Sequence, residues 1–258
     1  MSQKVIQGTP KLAGAIKSRR QELGLTIEEA ASKAGVGTKT WCRYETGESI
    51  RHDKAKGICK ALNWHAIPSE IDDGGIEFDL DEYKRNEAWS GGICDRFGEA
   101  AAVSFIIGSE IVLDYLKEDM KELSVLPKGT HVGQLPVSMI KHLLPEQFLM
   151  RYDYEFLYRL KMTVMRLRRV AHYNEDFLAH SVMEELALYL FTEEAEFLME
   201  SMQEDMEDCG VSGIDTWQDW IFDLFDDMDI VTFLYSDDCL SEDHSYHFDH
   251  WAEEQFYM

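Results

Sequence analysis

Apolar residues recur at spacings of three and four along most of the chain, and turn-forming residues cut that pattern into separate helices. Pro10 suits the first turn of a helix running to about Leu23. Leu12, Ala15, Ile16 and Arg19 fall at helical spacing there, and Gly24 stops the helix. Thr26 followed by Glu29 reads as a capping box, and Ile27, Ala30, Ala31 and Ala34 then form one apolar face. Gly35 can take a positive φ at the end of that helix, Val36 can plug the angle, and another helix starts near Gly37 or Thr38. Its Trp41 and Tyr44 lie three apart on the buried side, while Thr38, Lys39, Cys42 and Arg43 share the opposite side. Glu48 to His52 reads as a loop, and Asp53 as the cap of a fourth helix to about Leu62 that turns Ile58, Ala61 and Leu62 inward. Residues 1–9 read as a loose arm, and Trp64 to Ile71 as a short fifth helix closing a small core. The turn-rich Asp72-Asp73-Gly74-Gly75 marks a domain boundary, giving domains 1–71 and 76–258.

Beyond Ile93 the pattern remains helical and predicts an all-α fold. Residues 76–92 are mixed and receive no element. The expected helices are Phe97 to Leu123, with Gly98 and Gly108 as weak points, then Phe148 to Tyr173, Phe177 to Met206, Trp217 to Tyr235 and Tyr246 to Phe256. Pro127 to Pro136 reads as a loop with room for a short extended piece. No fixed-period repeat is present, so a helical solenoid is not expected.

Two helices joined by a glycine-containing turn form a helix-turn-helix, whose second helix would offer Thr38, Lys39, Cys42 and Arg43 to base edges. The stretch from Leu12 to about Leu62 resembles the XRE-type, phage-repressor-like helix-turn-helix family. The resembling residues are Ile16, Arg19, Arg20, Gly24-Leu25-Thr26, Glu29, Ala31, Gly35-Val36 and Tyr44-Glu45-Thr46-Gly47. The resemblance implies a five-helix domain that docks on a two-fold double-stranded DNA operator as a homodimer. Thr38, Lys39 and Arg43 would read bases, with Cys42 at a weaker reading position. Lys17, Arg19, Arg20, Thr40, Arg51, Lys54 and Lys56 are the candidate phosphate contacts. Two positions depart from the family: Ile27 stands where Gln is frequent, and Gly37 where Ser or Thr is frequent.

Charge changes the picture. A net charge of −24 opposes binding to a polyanion, but it is unevenly distributed. Residues 1–66 hold 12 Lys/Arg against 6 Asp/Glu, a local +6, whereas residues 67–258 hold 13 against 43, or −30. Only the N-terminal end suits DNA, and the acidic remainder would be repelled from it. The longest apolar run, Ala100 to Gly108, is too short for a bilayer and includes Ser104; the first residues lack a signal-peptide core. Neither a membrane nor secretion is expected. Five cysteines without a CxxC pair suit the reducing cytoplasm.

Three further features carry candidate chemistry. Arg151, Arg159, Lys161, Arg166, Arg168, Arg169 and His172 form a basic strip in the acidic domain, expected to pair with acidic segments such as Glu193 to Glu207 or Asp223 to Asp229. His244, His247 and His250 lie three apart, but steps of three drift around a helix, so a solvated face is expected rather than a metal site. Trp217, Trp220, Phe222, Phe225 and Phe233 suit helical core, a dimer interface or a ligand pocket. No GxSxG, HExxH, P-loop or GxGxxG occurs, so neither an enzyme nor a bound cofactor is expected. The sequence thus points to a cytoplasmic DNA-binding transcriptional regulator whose acidic domain dimerises or senses a small-molecule, peptide or protein effector. The alternative is an antitoxin or adaptor whose acidic domain masks a basic partner.

Overall fold

The computed structural model describes residues 5–62, 64, 67, 78–135, 138, 140–142, 144, 149, 151–173, 179–219, 250 and 251. The chain divides into two compact units, Met1–Glu77 with Pro136–Met139, and Phe78–Leu135 with Ile140–Met258. The fold is all-α, apart from a two-residue antiparallel ladder and one isolated bridge among the described residues. No described helix is long and apolar enough to cross a membrane.

The first unit contains α1 (Pro10–Glu22), α2 (Ile27–Lys33), α3 (Thr38–Tyr44) and α4 (His52–Leu62). Leu12, Ile16, Ala30, Ala31, Ala34, Val36, Trp41, Ile58 and Leu62 form its core. Two expectations are corrected here. The N-terminal arm is tied down from residue 5: β1 (Val5–Ile6) pairs with β2 (Ile50–Arg51), placing Ile6 opposite the buried Ile50. Thr9 then caps α1, its hydroxyl accepting from the Leu12 N–H at 3.1 Å. The second correction concerns Asp53, which lies inside α4 rather than before it; its carboxylate takes the Arg51 guanidinium in two bonds of 2.9 Å. Of the expected fifth helix, only Trp64 and Ile67 lie among the described residues, and both pack on this core.

In the second unit, α5 (Leu80–Lys84) and α6 (Gly91–Phe97) occupy the stretch that the periodicity left unassigned. Each is started by a side chain: Asp79 accepts from the Asp81 N–H, and Ser90 from that of Ile93. The centre is α7 (Glu99–Leu123), whose run from Ala100 to Ser109 is buried on every side. The expected single helix from Phe97 breaks at Gly98, which has φ 96° and leaves α7 without a side-chain cap of its own. Ser212 supplies that cap, its hydroxyl and carbonyl oxygens accepting from the N–H groups of Glu99 and Ala100 at 3.1 and 3.0 Å. Gly108 is no weak point, because the backbone of α9 (Val182–Ser201) at Phe191 lies where a side chain at this position would stand.

The remaining helices start and stop at caps that periodicity does not register. α8 (Tyr154–His172) begins six residues later than expected, because Asp153 accepts from the Phe156 N–H and Tyr152 is held by its carbonyl against Val132. Tyr152 still stacks on Phe156 with ring centroids 4.2 Å apart, so its apolar character belongs to packing rather than to the helix. α9 starts after its Ser181 cap, and Met202 separates it from α10 (Gln203–Asp208). The expected helix 217–235 is described only to residue 219, and of 246–256 only His250 and the fully buried Trp251 are described. Trp220, Phe222, Phe225, Phe233, His244 and His247 lie outside the described residues.

Part of the basic strip is neutralised within this unit, by partners other than those expected. Arg168 is buried, donates to Ser109 Oγ at 3.0 Å and lies 3.3 Å from Glu87 and 3.7 Å from Glu110. Arg166 pairs with Glu184 of α9, and Arg159 with Glu155 one turn earlier on α8 at 2.8 Å. These partners come from α7, α8, α9 and the α5–α6 connection rather than from residues 193–207. Residues 223–229 lie outside the described part of the chain.

Candidate nucleic-acid interface

The entry to α2 is fixed by a reciprocal cap. Thr26 Oγ1 accepts from the Glu29 N–H at 3.1 Å, and the Thr26 N–H donates to Glu29 Oε2 at 2.8 Å. The backbone and hydroxyl of Thr26 hold the Glu29 carboxyl below the usual carboxylate range. At the other end Gly35 takes φ 60°, buried Val36 donates its N–H to the Ala31 carbonyl at 2.9 Å, and Gly37 becomes the N-cap of α3. Gly37 offers no side chain to the free N–H groups of α3, the physical result of its departure from Ser or Thr.

α3 is held from its buried side. Trp41 is fully buried, and its ring N–H donates to Glu45 Oε1 at 2.6 Å. Arg20 of α1 grips both oxygens of the same carboxylate, with Nη2 to Oε2 at 3.1 Å, and donates through Nη1 to the Leu25 carbonyl at 2.8 Å. Burial alone would push the Glu45 carboxyl up; the bonds from Arg20 and Trp41, with the charges of Arg20 and Lys17, bring it below its ordinary value. This network joins α1 to the end of α3 and sets which face α3 turns outward.

The outward face carries Thr38, Lys39 and Arg43, all exposed; Cys42, on the same face between Thr38 and Lys39, and Thr40 beyond it are half-buried. Lys39 and Arg43 stand one turn apart. Arg43 Nε meets Glu48 Oε2 at 2.7 Å, an exposed pair with 62% and 51% of the side chains in solvent. Such a pair is weak enough for a stronger anion to displace it.

The seven candidate phosphate contacts separate by their environments. Lys17 is exposed and Lys56 half-buried. Arg19 is half-buried and spends its donors within the unit, Nε on the Leu62 carbonyl at 3.0 Å and Nη1 on Glu22 at 3.1 Å. Arg51 is turned to Asp53. Arg20 and Lys54 are corrected: both are buried, Arg20 on Glu45 and Lys54 Nζ 3.5 Å from Asp53, so neither presents its charge outward. Periodicity alone did not bring out Glu45 and Glu48; the four-residue spacing from Trp41 to Glu45 was the available signal for the first.

Burial pushes the Cys59 thiol up to about 12, so it stays protonated and packs as a small apolar group. Among the described residues, no cluster of three His, Cys, Asp or Glu is placed to hold a metal ion. No protein-family model, no curated protein and no solved structure matches the chain.

Proposed function

We propose that the first unit docks on double-stranded DNA through α3 and that the chain is a sequence-specific transcriptional regulator, working as a cytoplasmic homodimer on a two-fold operator. The observation that supports this is a helix pinned from behind by Trp41, Glu45 and Arg20 while Thr38, Lys39 and Arg43 project from its other side. A recognition helix needs both: a fixed register, and long polar side chains free of the core. The guanidinium of Arg43 can reach O6 and N7 of one guanine together, and Lys39 a neighbouring acceptor. The local +6 of residues 1–66 supplies the attraction, while the −30 of the remainder limits contact to this end.

The test is selection of bound sequences from random duplex DNA with the full chain at fixed ionic strength, followed by titration of the selected site. Arg43→Ala is expected to weaken the selected duplex by roughly ten- to a hundredfold and to relax preference at one base pair. Lys17→Ala is expected to weaken selected and scrambled duplexes equally and to lower the salt slope by about one unit. Glu48→Gln releases Arg43 and removes a negative charge beside α3, so affinity for both duplexes should rise several-fold. Selection that yields no enriched sequence, with unchanged binding by Arg43→Ala, would remove the proposal.

A further inference from the structure

The outer face of α8 is built unlike a solvated surface. Tyr154, Tyr158, Met162 and Met165 are 45–48% exposed, and Tyr173 just beyond the helix is 66% exposed. Their spacing of three and four puts them on one stripe, opposite the face that buries Phe156, Leu157, Leu160, Val164, Leu167 and Ala171. From Tyr154 to Arg169 the stripe is about 22 Å long. Half-exposed tyrosine and methionine side chains in this number offer roughly 500 Å² to a partner, against about 800 Å² per side in a standard interface.

Charge narrows the kind of partner. α8 carries Arg159, Lys161, Arg166, Arg168 and Arg169 against one acid, Glu155, a local +4 in a chain of net charge −24. Arg168 faces inward, but Arg159 and Arg166 edge the stripe on one side, Lys161 lies on the other, and Arg169 continues it. Among the described residues, neither Lys161 nor Arg169 has a carboxylate within ion-pair distance. A second copy of the same face would bring like charge against like charge: in an antiparallel pairing centred between Met162 and Thr163, Arg159 of one copy falls opposite Arg166 of the other. Extended polyanions, a duplex or an anionic bilayer, would meet the surrounding acidic domain as well as the helix and be repelled. A short segment meets only the stripe.

We infer that the outer face of α8 is a docking site for an acidic amphipathic helix, with apolar anchors seated on Tyr154, Tyr158, Met162 and Met165 and carboxylates paired to Lys161 and Arg169. Tyrosine supplies rigid contact area at low entropic cost, and methionine adapts to the shape of the anchor, which suits recognition of a helical segment. This inference does not rest on DNA binding by the first unit.

The test uses the full chain and a fluorescein-labelled synthetic peptide of about sixteen residues, with leucine and phenylalanine at i, i+3, i+4 and i+7 and glutamate elsewhere. Anisotropy is expected to show saturable binding that weakens with salt, and the same peptide with lysine for glutamate should bind at least tenfold more weakly. The pair Tyr158→Ser and Met162→Ser, and separately Lys161→Glu with Arg169→Glu, should each weaken binding at least tenfold with an unchanged circular dichroism melt. Lys128→Glu, a cation outside the helix, should change it less than twofold. Tyr158, Met162 and Arg169 are exposed and Lys161 is half-buried, and none of the four belongs to the core, so a folded variant is available for each arm. The inference is overturned if the lysine peptide binds equally or if both double variants bind as the parent does. It is equally overturned if light scattering shows a dimer that the serine pair abolishes, or if the face instead captures oligo-dT or phosphatidylserine vesicles.

Discussion

Gly108→Ala is expected to destabilise the second unit by about 3 kcal/mol or more, at or beyond the upper end of ordinary overpacking. A Cβ at this position would fall on the Phe191 carbonyl group and within 2.6 Å of the Phe191 Cα. The obstacle is backbone in the middle of α9, not the end of a flexible side chain, so relief requires α7 and α9 to part. They cannot part locally: the residues around Gly108 on α7 are buried from Ala100 to Ser109, and Phe105 and Phe191 lock edge to face with centroids 5.6 Å apart. For a unit of this size the shift in melting temperature should be about 10 °C. The same substitution at Gly14, an exposed position inside α1 with nothing within 4 Å of the added atom, should instead stabilise by up to about 1 kcal/mol through helix propensity. Calorimetry of the two variants beside the parent separates the outcomes. Equal, small shifts of the same sign would mean that α7 and α9 do not meet at Gly108.

The contrast between these glycines shows where sequence reasoning ends. Both stand in helical patterns, and composition cannot tell open space from a neighbouring backbone; only the partner helix, more than eighty positions away, decides. The helix-turn-helix was legible for the opposite reason. Thr26 with Glu29, Gly35 with Val36, and Trp41 with Tyr44 state their roles within a few residues, and caps and turns are local chemistry. Boundaries in the second unit were less legible because Tyr152 continues the apolar rhythm of α8 without being part of it, and Gly98 interrupts a run that reads as unbroken. The environments of the candidate phosphate contacts were the least legible. Arg20 and Lys17 look alike in a list of cations near α1, yet one is buried on Glu45, twenty-five residues later in sequence, and the other faces solvent.

That buried pair carries the other large effect. Arg20 and Glu45 keep only 10% and 7% of their side chains exposed, and Glu45 also accepts from Trp41. Glu45→Gln leaves the guanidinium of Arg20 buried without a counter-charge, a loss that costs about 3–5 kcal/mol where one partner of a buried pair is removed. The pH dependence follows from the depressed carboxyl of Glu45. In the unfolded chain a glutamate titrates near pH 4.3, and in the folded unit it titrates lower. The stabilisation is therefore fully present above that pH and is lost as pH falls through the folded value. The parent should lose stability in its first unit steeply below about pH 4, and Glu45→Gln should start lower at neutral pH and fall less steeply across the acid range. Comparing the two curves isolates Glu45 from other acids such as Glu29. Because the same carboxylate fixes the Trp41 ring and the facing of α3, the variant should also lose preference for the selected duplex at temperatures where it remains folded. If Glu45→Gln melts with the parent at pH 7 and keeps the parent's acid slope, the pair does not hold α3. Its outward face would then have to be set by the apolar contacts of Trp41 and Tyr44 alone.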